Sequence, residues 1–180
     1  ERGAAGDIEV TAHDLRTRRT EFATLHPRFQ TDAHNVPALL VLPDGRILAT
    51  YQSHGQTKGF VGPDLMRWRR TLRPNDISLW SEERTVPVGA GVSYSNPIRL
   101  AAEGGKILLF HRGVGFNPNY LVSTDDGATF TYGGRLLFWP RKPEADPRFT
   151  GISGGRPYLK YAQQGDDTIH FVATEDHPSS

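Results

Sequence analysis

NVPALLVLPDGRILATYQSH (residues 35–54), SNPIRLAAEGGKILLFHRG (95–113) and GRPYLKYAQQGDDTIHFVAT (155–174) share one layout: a proline, an apolar run, a turn containing Gly or Asp, and a second apolar run. Val, Ile, Leu and Tyr on both sides of a tight turn are the signature of a β-hairpin. The opening prolines, Pro37, Pro97 and Pro157, follow one another at intervals of 60 residues. Self-similarity at a fixed period of tens of residues marks architectures in which one unit cannot bury its own face and its neighbours complete the core. The expectation is an all-β chain, and a β-propeller is the leading architecture.

Working outward from the hairpins, DIEVTA (7–12) and TEFATLH (20–26) read as two further strands, the outer half of a blade within residues 1–33. A blade over 34–90 takes strands near 36–42, 46–53 and 65–71, with a fourth around ISLW and ERTVPV. The blade over 91–140 takes strands near 97–101, 106–112, 119–123 and 129–138, and residues 150–180 supply the first half of another. LMRWRR (65–70) is the one stretch that tempts a helical reading, and it is too short to compete with the repeat. Propellers close with about four to eight blades. The chain is therefore expected to be a partial propeller of three to four blades. The whole is expected to have seven blades and roughly 400 residues or more, to be monomeric, and to fold poorly when reduced to this part.

Composition narrows the functional classes. Lys and Arg number 21 against 20 Asp and Glu, with no isolated basic run, so a nucleic-acid partner is not expected. The apolar runs are far shorter than a bilayer span, so no membrane role is expected either. The absence of cysteine excludes disulfides, thiolate metal sites and a cysteine nucleophile. The 19 Gly and 13 Pro are spread along the chain, as many short strands and tight turns require.

Aligning the hairpins on their prolines yields a candidate site. His34 and Tyr94 each lie three residues before a hairpin proline, so both arrive at the start of an innermost strand in consecutive blades. The exits of the second strands carry His54, then His111 and Arg112, then Asp176 and His177, and Tyr158 joins from the third hairpin. Such a set makes a cationic, proton-transferring pocket suited to an anionic substrate: an arginine fork binds a carboxylate, and His and Tyr relay protons. His13 and His26 read as solvated or hydrogen-bonded turn residues, and His170 as packing. Tyr158 and Tyr161 fall on opposite faces of one strand, with Tyr158 placed in the pocket; Lys160 fits either face. Of the adjacent His111 and Arg112, Arg112 is placed inward. With no carboxylate or thiolate noted at tight spacing around the histidines, neither a metal nor another cofactor is expected.

STDDGATF (123–130) matches the S-x-D-x-G-x-T-[WF] Asp-box of sialidase-like propellers, a turn between third and fourth strands, with a degenerate copy at RPNDISLW (73–80). Asp accepts hydrogen bonds from the turn's own amides and Gly tolerates positive φ, so the motif reads as structural, with a calcium site as the alternative. Together, HNVPALLVLPDGRILATYQSHG, YSNPIRL followed by FHRG, NPNYLVSTDDGATF and GRPYLKYAQQGDDTIHFVATEDHP resemble the BNR repeat-containing propeller family, over residues 34–178. That family includes ulvan lyases. The positions lining the substrate groove in those lyases are matched here by His34, His54, Tyr94, Arg112, Tyr158 and His177.

The resemblance implies β-elimination at a uronic acid of an acidic polysaccharide or oligosaccharide, by a secreted or periplasmic protein. Arg112 and His177 would neutralise the substrate carboxylate, and His34 and Tyr94 would serve as base and acid. Two other readings stand beside it: a non-catalytic carbohydrate-binding propeller, and a sialidase-like glycoside hydrolase. The second lacks the arginine triad and the Phe/Tyr-Arg-Ile-Pro motif that sialidases share.

Overall fold

In the computed structural model, residues 6–32, 34–54, 64–89, 91–113, 117–138 and 157–174 are described. They form thirteen strands and a single short 3-10 turn, Ala101–Glu103. In chain order the strands are β1 (Ile8–His13), β2 (Thr20–His26), β3 (Ala38–Val41), β4 (Ile47–Gln52), β5 (Leu65–Arg73), β6 (Asp76–Trp80) and β7 (Arg84–Pro87). They continue as β8 (Ser93–Leu100), β9 (Lys106–Arg112), β10 (Pro118–Ser123), β11 (Thr131–Arg135), β12 (Leu159–Gln164) and β13 (Thr168–Ala173).

Four antiparallel sheets result: β1-β2, then β3-β4-β5 continued by β6 and β7, then β8-β9-β10-β11, then β12-β13. This is an all-β partial propeller. The fourth strand of the second sheet is divided, because β5 pairs with β7 through Leu65–Trp68 and with β6 through Thr71 and Arg73. LMRWRR forms most of β5, with Met66 and Trp68 buried on one face at the period of two that a strand demands.

The same period explains how the sheets stack. Along β4, Leu48 joins a cluster with Met66, Trp68, Ile107, Leu109, Leu121 and Phe130, whereas Ala49 and Tyr51 join Ile8, Val10 and Leu25 of the first sheet. Along β9, Ile107 and Leu109 face the second sheet while Phe110 packs with Ile98, Leu100 and, from the last sheet, Tyr161 and Ile169. A strand with a sheet on either side buries both faces, and β4 is buried from Leu48 to Gln52. His170 departs from the expected packing role: it is exposed on β13, with Nε2 2.6 Å from Gln164 Oε1.

The turn between β10 and β11 closes on its own side chains. Asp125 accepts from the backbone N–H and hydroxyl of Thr129 at 2.9 and 2.6 Å, and Ser123 Oγ accepts from Gly127 N–H at 2.9 Å. Gly127 holds φ +74°, and a Cβ there would come within 3.0 Å of Leu48, so glycine is required twice over. Phe130 then crosses to the preceding sheet and meets Trp68 edge-on at 5.1 Å. Arg70 and Arg84 donate to the turn carbonyls of Asp126 and Ala128, fastening the two sheets at their rim.

A polar clasp joins the first two sheets. Glu83 accepts from the Tyr51 hydroxyl at 2.7 Å, lies 2.6 Å from His26 Nδ1, and lies 3.4 Å from Arg67 Nε. Burial and the Glu83 carboxylate together push the Tyr51 phenol far above its ordinary range, so Tyr51 stays a donor. Replacing Glu83 with Ala strands a buried hydroxyl, and such losses typically cost about 1–3 kcal/mol. Glu83→Ala is accordingly expected to lower the unfolding free energy by that amount, read as a lower denaturant midpoint at unchanged m-value, while Glu82→Ala, at an exposed neighbouring position, leaves the midpoint in place.

Candidate active site

Two connections meet at one end of the stacked sheets. The chain between β2 and β3 carries Gln30, Asp32, His34 and Asn35, and His54 follows β4. Gln30 joins them: its Oε1 accepts from His54 N–H at 3.0 Å and from Asn35 Nδ2 at 2.8 Å, while its Nε2 donates to the His54 carbonyl at 3.2 Å. His54 is thereby gripped by both backbone groups. Its ring stacks on that of His34 with centroids 3.9 Å apart.

Tyr94 arrives from the next sheet through a bulge. The β8/β9 register shifts between Ser93 and Asn96, and Tyr94 sits in the left-handed region at φ 59°, a costly conformation for a non-glycine residue. The surroundings hold it there: Asn96 Nδ2 donates to the Tyr94 carbonyl at 2.9 Å, and Ser95 Oγ donates to the Thr50 carbonyl at 3.3 Å. Strain of this kind clusters at functional sites. The Tyr94 ring meets His34 edge-on at 5.9 Å and Tyr158 edge-on at 4.9 Å.

Arg112, at the end of β9, completes the group. Its guanidinium lies 5.1 Å from the centre of the Tyr94 ring, Nη2 is 3.5 Å from His54 Nε2, and Nε donates to the Gly91 carbonyl at 3.3 Å. Five of the six residues singled out in the sequence therefore meet: His34, His54, Tyr94, Arg112 and Tyr158. The sixth, His177, lies outside the described residues, as does Asp176. Lys160 places its ammonium 5.1 Å from the centre of the Tyr158 ring, at the margin of the cluster. Tyr161 turns the other way and stacks on Phe110 at 4.5 Å.

The remaining histidines stand apart. His111 is buried, and burial pushes its imidazole down to about 4. His13 is exposed beside Thr20, and His26, in strand β2 and not in a turn, belongs to the Glu83 clasp.

Asp32 was not singled out in the sequence, although it stands only two residues before His34. Its Oδ1 lies 2.6 Å from His34 Nδ1 and accepts the His34 backbone N–H at 2.8 Å, and its Oδ2 lies 3.2 Å from His54 Nδ1. This corrects the expectation that no carboxylate lies close to the histidines. Ligand atoms of Asp32, His34 and His54 all fall within 4.8 Å of one another, a set that could hold a metal ion. The present spacing is that of hydrogen bonds. Ligands on a tetrahedral zinc with bonds of about 2.0–2.1 Å lie roughly 3.3 Å apart, wider than the Asp32–His34 contact, and the Arg112 guanidinium opposes a second cation.

Charge is distributed asymmetrically. Burial raises the Asp32 carboxyl, but the hydrogen bonds from the His34 backbone, the His34 ring and the His54 ring outweigh it and hold it at about 2. Burial holds the His54 imidazole below its ordinary range, against the opposing pull of Asp32. Burial also raises the Tyr94 phenol, partly offset by Arg112. At neutral pH the cluster thus presents one fixed guanidinium, an ionised carboxylate against the two histidine rings, and the protonated Tyr94 phenol. That set can bind an anion and move a proton.

The fold is that of an all-β partial propeller, with a cluster of His, Tyr, Arg and Asp side chains at one end of its sheets. The chain belongs to the BNR repeat-containing family, which matches residues 3–180. No curated protein matches it. Among solved structures it is similar to a polysaccharide lyase, an ulvan lyase, at 19% identity and a TM-score of 0.61, covering 93% of this chain and 40% of that one. It is also similar to an ulvan lyase bound to -[GlcA(1-4)Rha3S]-, at 21% identity and a TM-score of 0.63, with the same coverage. The chain thus spans less than half the length of the lyases whose fold it shares.

Asp32 has a folded pKa below its ordinary value of 3.8, so it stabilises the fold above that pH and the contribution disappears as pH falls through about 2. Carboxyl-carbon NMR is expected to show Asp32 still ionised at pH 3.5, where solvated aspartates are more than half protonated. A midpoint near 4 would contradict the hydrogen-bonded arrangement.

Proposed function

We propose that this chain forms the catalytic part of a polysaccharide lyase that cleaves a uronic-acid-containing glycan by β-elimination. The observation that carries the reading is the meeting of His34, His54, Tyr94, Arg112 and Tyr158 from three sheets around one cationic point. The shared fold with ulvan lyases, one of them bound to a glucuronate-containing oligosaccharide, supports the same substrate class.

Chemically, the difficult step is removal of the weakly acidic C5 proton. Arg112, assisted by His177, binds the C6 carboxylate and stabilises the negative charge that builds on it as the proton leaves. His34 takes the C5 proton. The electron pair forms the C4=C5 double bond as the C4–O4 bond breaks, and Tyr94 protonates the departing O4. His54 and Tyr158 hold the sugar rings. A site for a polymer needs an open groove, and His34 and His54 retain side-chain exposures of 39% and 28%. On this reading the protein is secreted or periplasmic, and the whole protein is a monomer.

The test uses the full-length protein with uronate-containing glycans and follows ultraviolet absorbance of the unsaturated product. Arg112→Ala is expected to reduce kcat/KM by about 10²-fold or more, the usual effect of removing one charge-stabilising donor. New reducing ends without the chromophore would mean a hydrolase. Binding without any product in the parent protein would mean a carbohydrate-binding propeller.

A further inference from the structure

We infer that Asp32 is a positioning residue that sets the proton arrangement of both site histidines at once, one carboxylate oxygen to each ring. The inference rests on the proposed lyase reading for its catalytic consequence but not for its structural content. Asp32 is ionised at neutral pH and can only accept hydrogen bonds, so a ring nitrogen 2.6 Å from Oδ1 and another 3.2 Å from Oδ2 must each carry the hydrogen. The hydrogen therefore sits on Nδ1 of His34 and on Nδ1 of His54. In their neutral forms both rings are left with a bare Nε2.

The far side of His54 agrees independently. Its Nε2 lies 3.5 Å from Arg112 Nη2, and a guanidinium has hydrogens to donate but no lone pair to offer, so this nitrogen must be an acceptor. Asp32, His54 and Arg112 form a chain running carboxylate, imidazole, guanidinium, which orients Arg112 toward its substrate anion. The same carboxylate leaves the His34 Nε2 lone pair available as the base. The Asp32–His34 turn is locally closed by the His34 N–H to Oδ1 bond, so the carboxylate is itself held in place.

Asp32→Asn tests this with two readouts. In the full-length protein, nitrogen-15 imidazole spectra near pH 8 are expected to show both His34 and His54 as the Nδ1–H form in the parent. In Asp32→Asn the amide can donate to a ring nitrogen as well as accept, so at least one ring should change form or become mixed. An Nε2–H form of either ring in the parent overturns the inference whatever the variant does. Spectra unchanged between parent and variant overturn it too, as would ring nitrogens that shift on adding EDTA, which would make the group a metal site.

In turnover of a uronate glycan, Asp32→Asn is expected to lower kcat by on the order of 10²-fold or more, since a misplaced proton removes the base. Asp32→Glu should recover part of the rate. A parent with no lyase activity but the stated imidazole forms would defeat the lyase reading and leave the role of Asp32 intact. Full activity in Asp32→Asn would defeat the role of Asp32 alone.

Discussion

Burial of β4 and β9 on both faces is the constraint from which the rest follows. Each strand is the interior layer of a stack: Leu48 reaches one way to Ile107 and Leu109, Tyr51 the other way to the first sheet, and Phe110 onward to Tyr161. Apolar burial is worth about 25 cal/mol per Å² removed from water, and here it accrues only when neighbouring sheets are in place. Stacking therefore fixes the relation of successive sheets. With it comes the relation of whatever lies at their ends, which is where His54 and Arg112 stand, each just after or at the last residue of such a strand.

A rigid stack allows the site to hold groups that would otherwise separate. Tyr94 occupies a left-handed backbone conformation, and the Asp32 carboxylate bridges the Nδ1 atoms of the stacked His34 and His54 rings. Neither arrangement is favourable alone. Gln30, gripping both backbone groups of His54, and the hydrogen bonds around Ser95 and Asn96 determine them from outside the cluster. The electrostatic outcome is a fixed positive charge at Arg112 beside the His54 imidazole, which burial holds below its ordinary range, and the Tyr94 phenol, which burial holds above it.

Much of this is legible in the amino-acid order because strand periodicity is local. The proline-headed hairpins at Pro37, Pro97 and Pro157 read directly as β3-β4, β8-β9 and β12-β13. The expected equivalence of His34 and Tyr94 is not kept in detail, since His34 lies in the connection before β3 and Tyr94 lies within β8 at its bulge. Asp32 escaped that reading for a physical reason. The proline alignment ranks residues by equivalence between repeats, whereas Asp32 acts through a two-residue turn in the chain before β3 and through a contact to His54 that spans 22 positions. Gln30 was hidden in the same way, since a glutamine in a loop has no periodic signature. His170 was misjudged because alternation along β13 predicts a face and says nothing of what covers it.

By itself the sequence determined an all-β repeat, the hairpins, the turn at Asp125 and Gly127, and most of the residue types that a cationic acid–base site needs, because these depend on neighbours along the chain. Only the tertiary structure decided that the His34 and His54 rings stack, that one carboxylate serves both, that Tyr94 bends through a bulge to meet Tyr158, and that Arg112 faces inward against His54. Hydrogen bonds and ring contacts act over a few ångströms, and those distances exist only once separate sheets have packed.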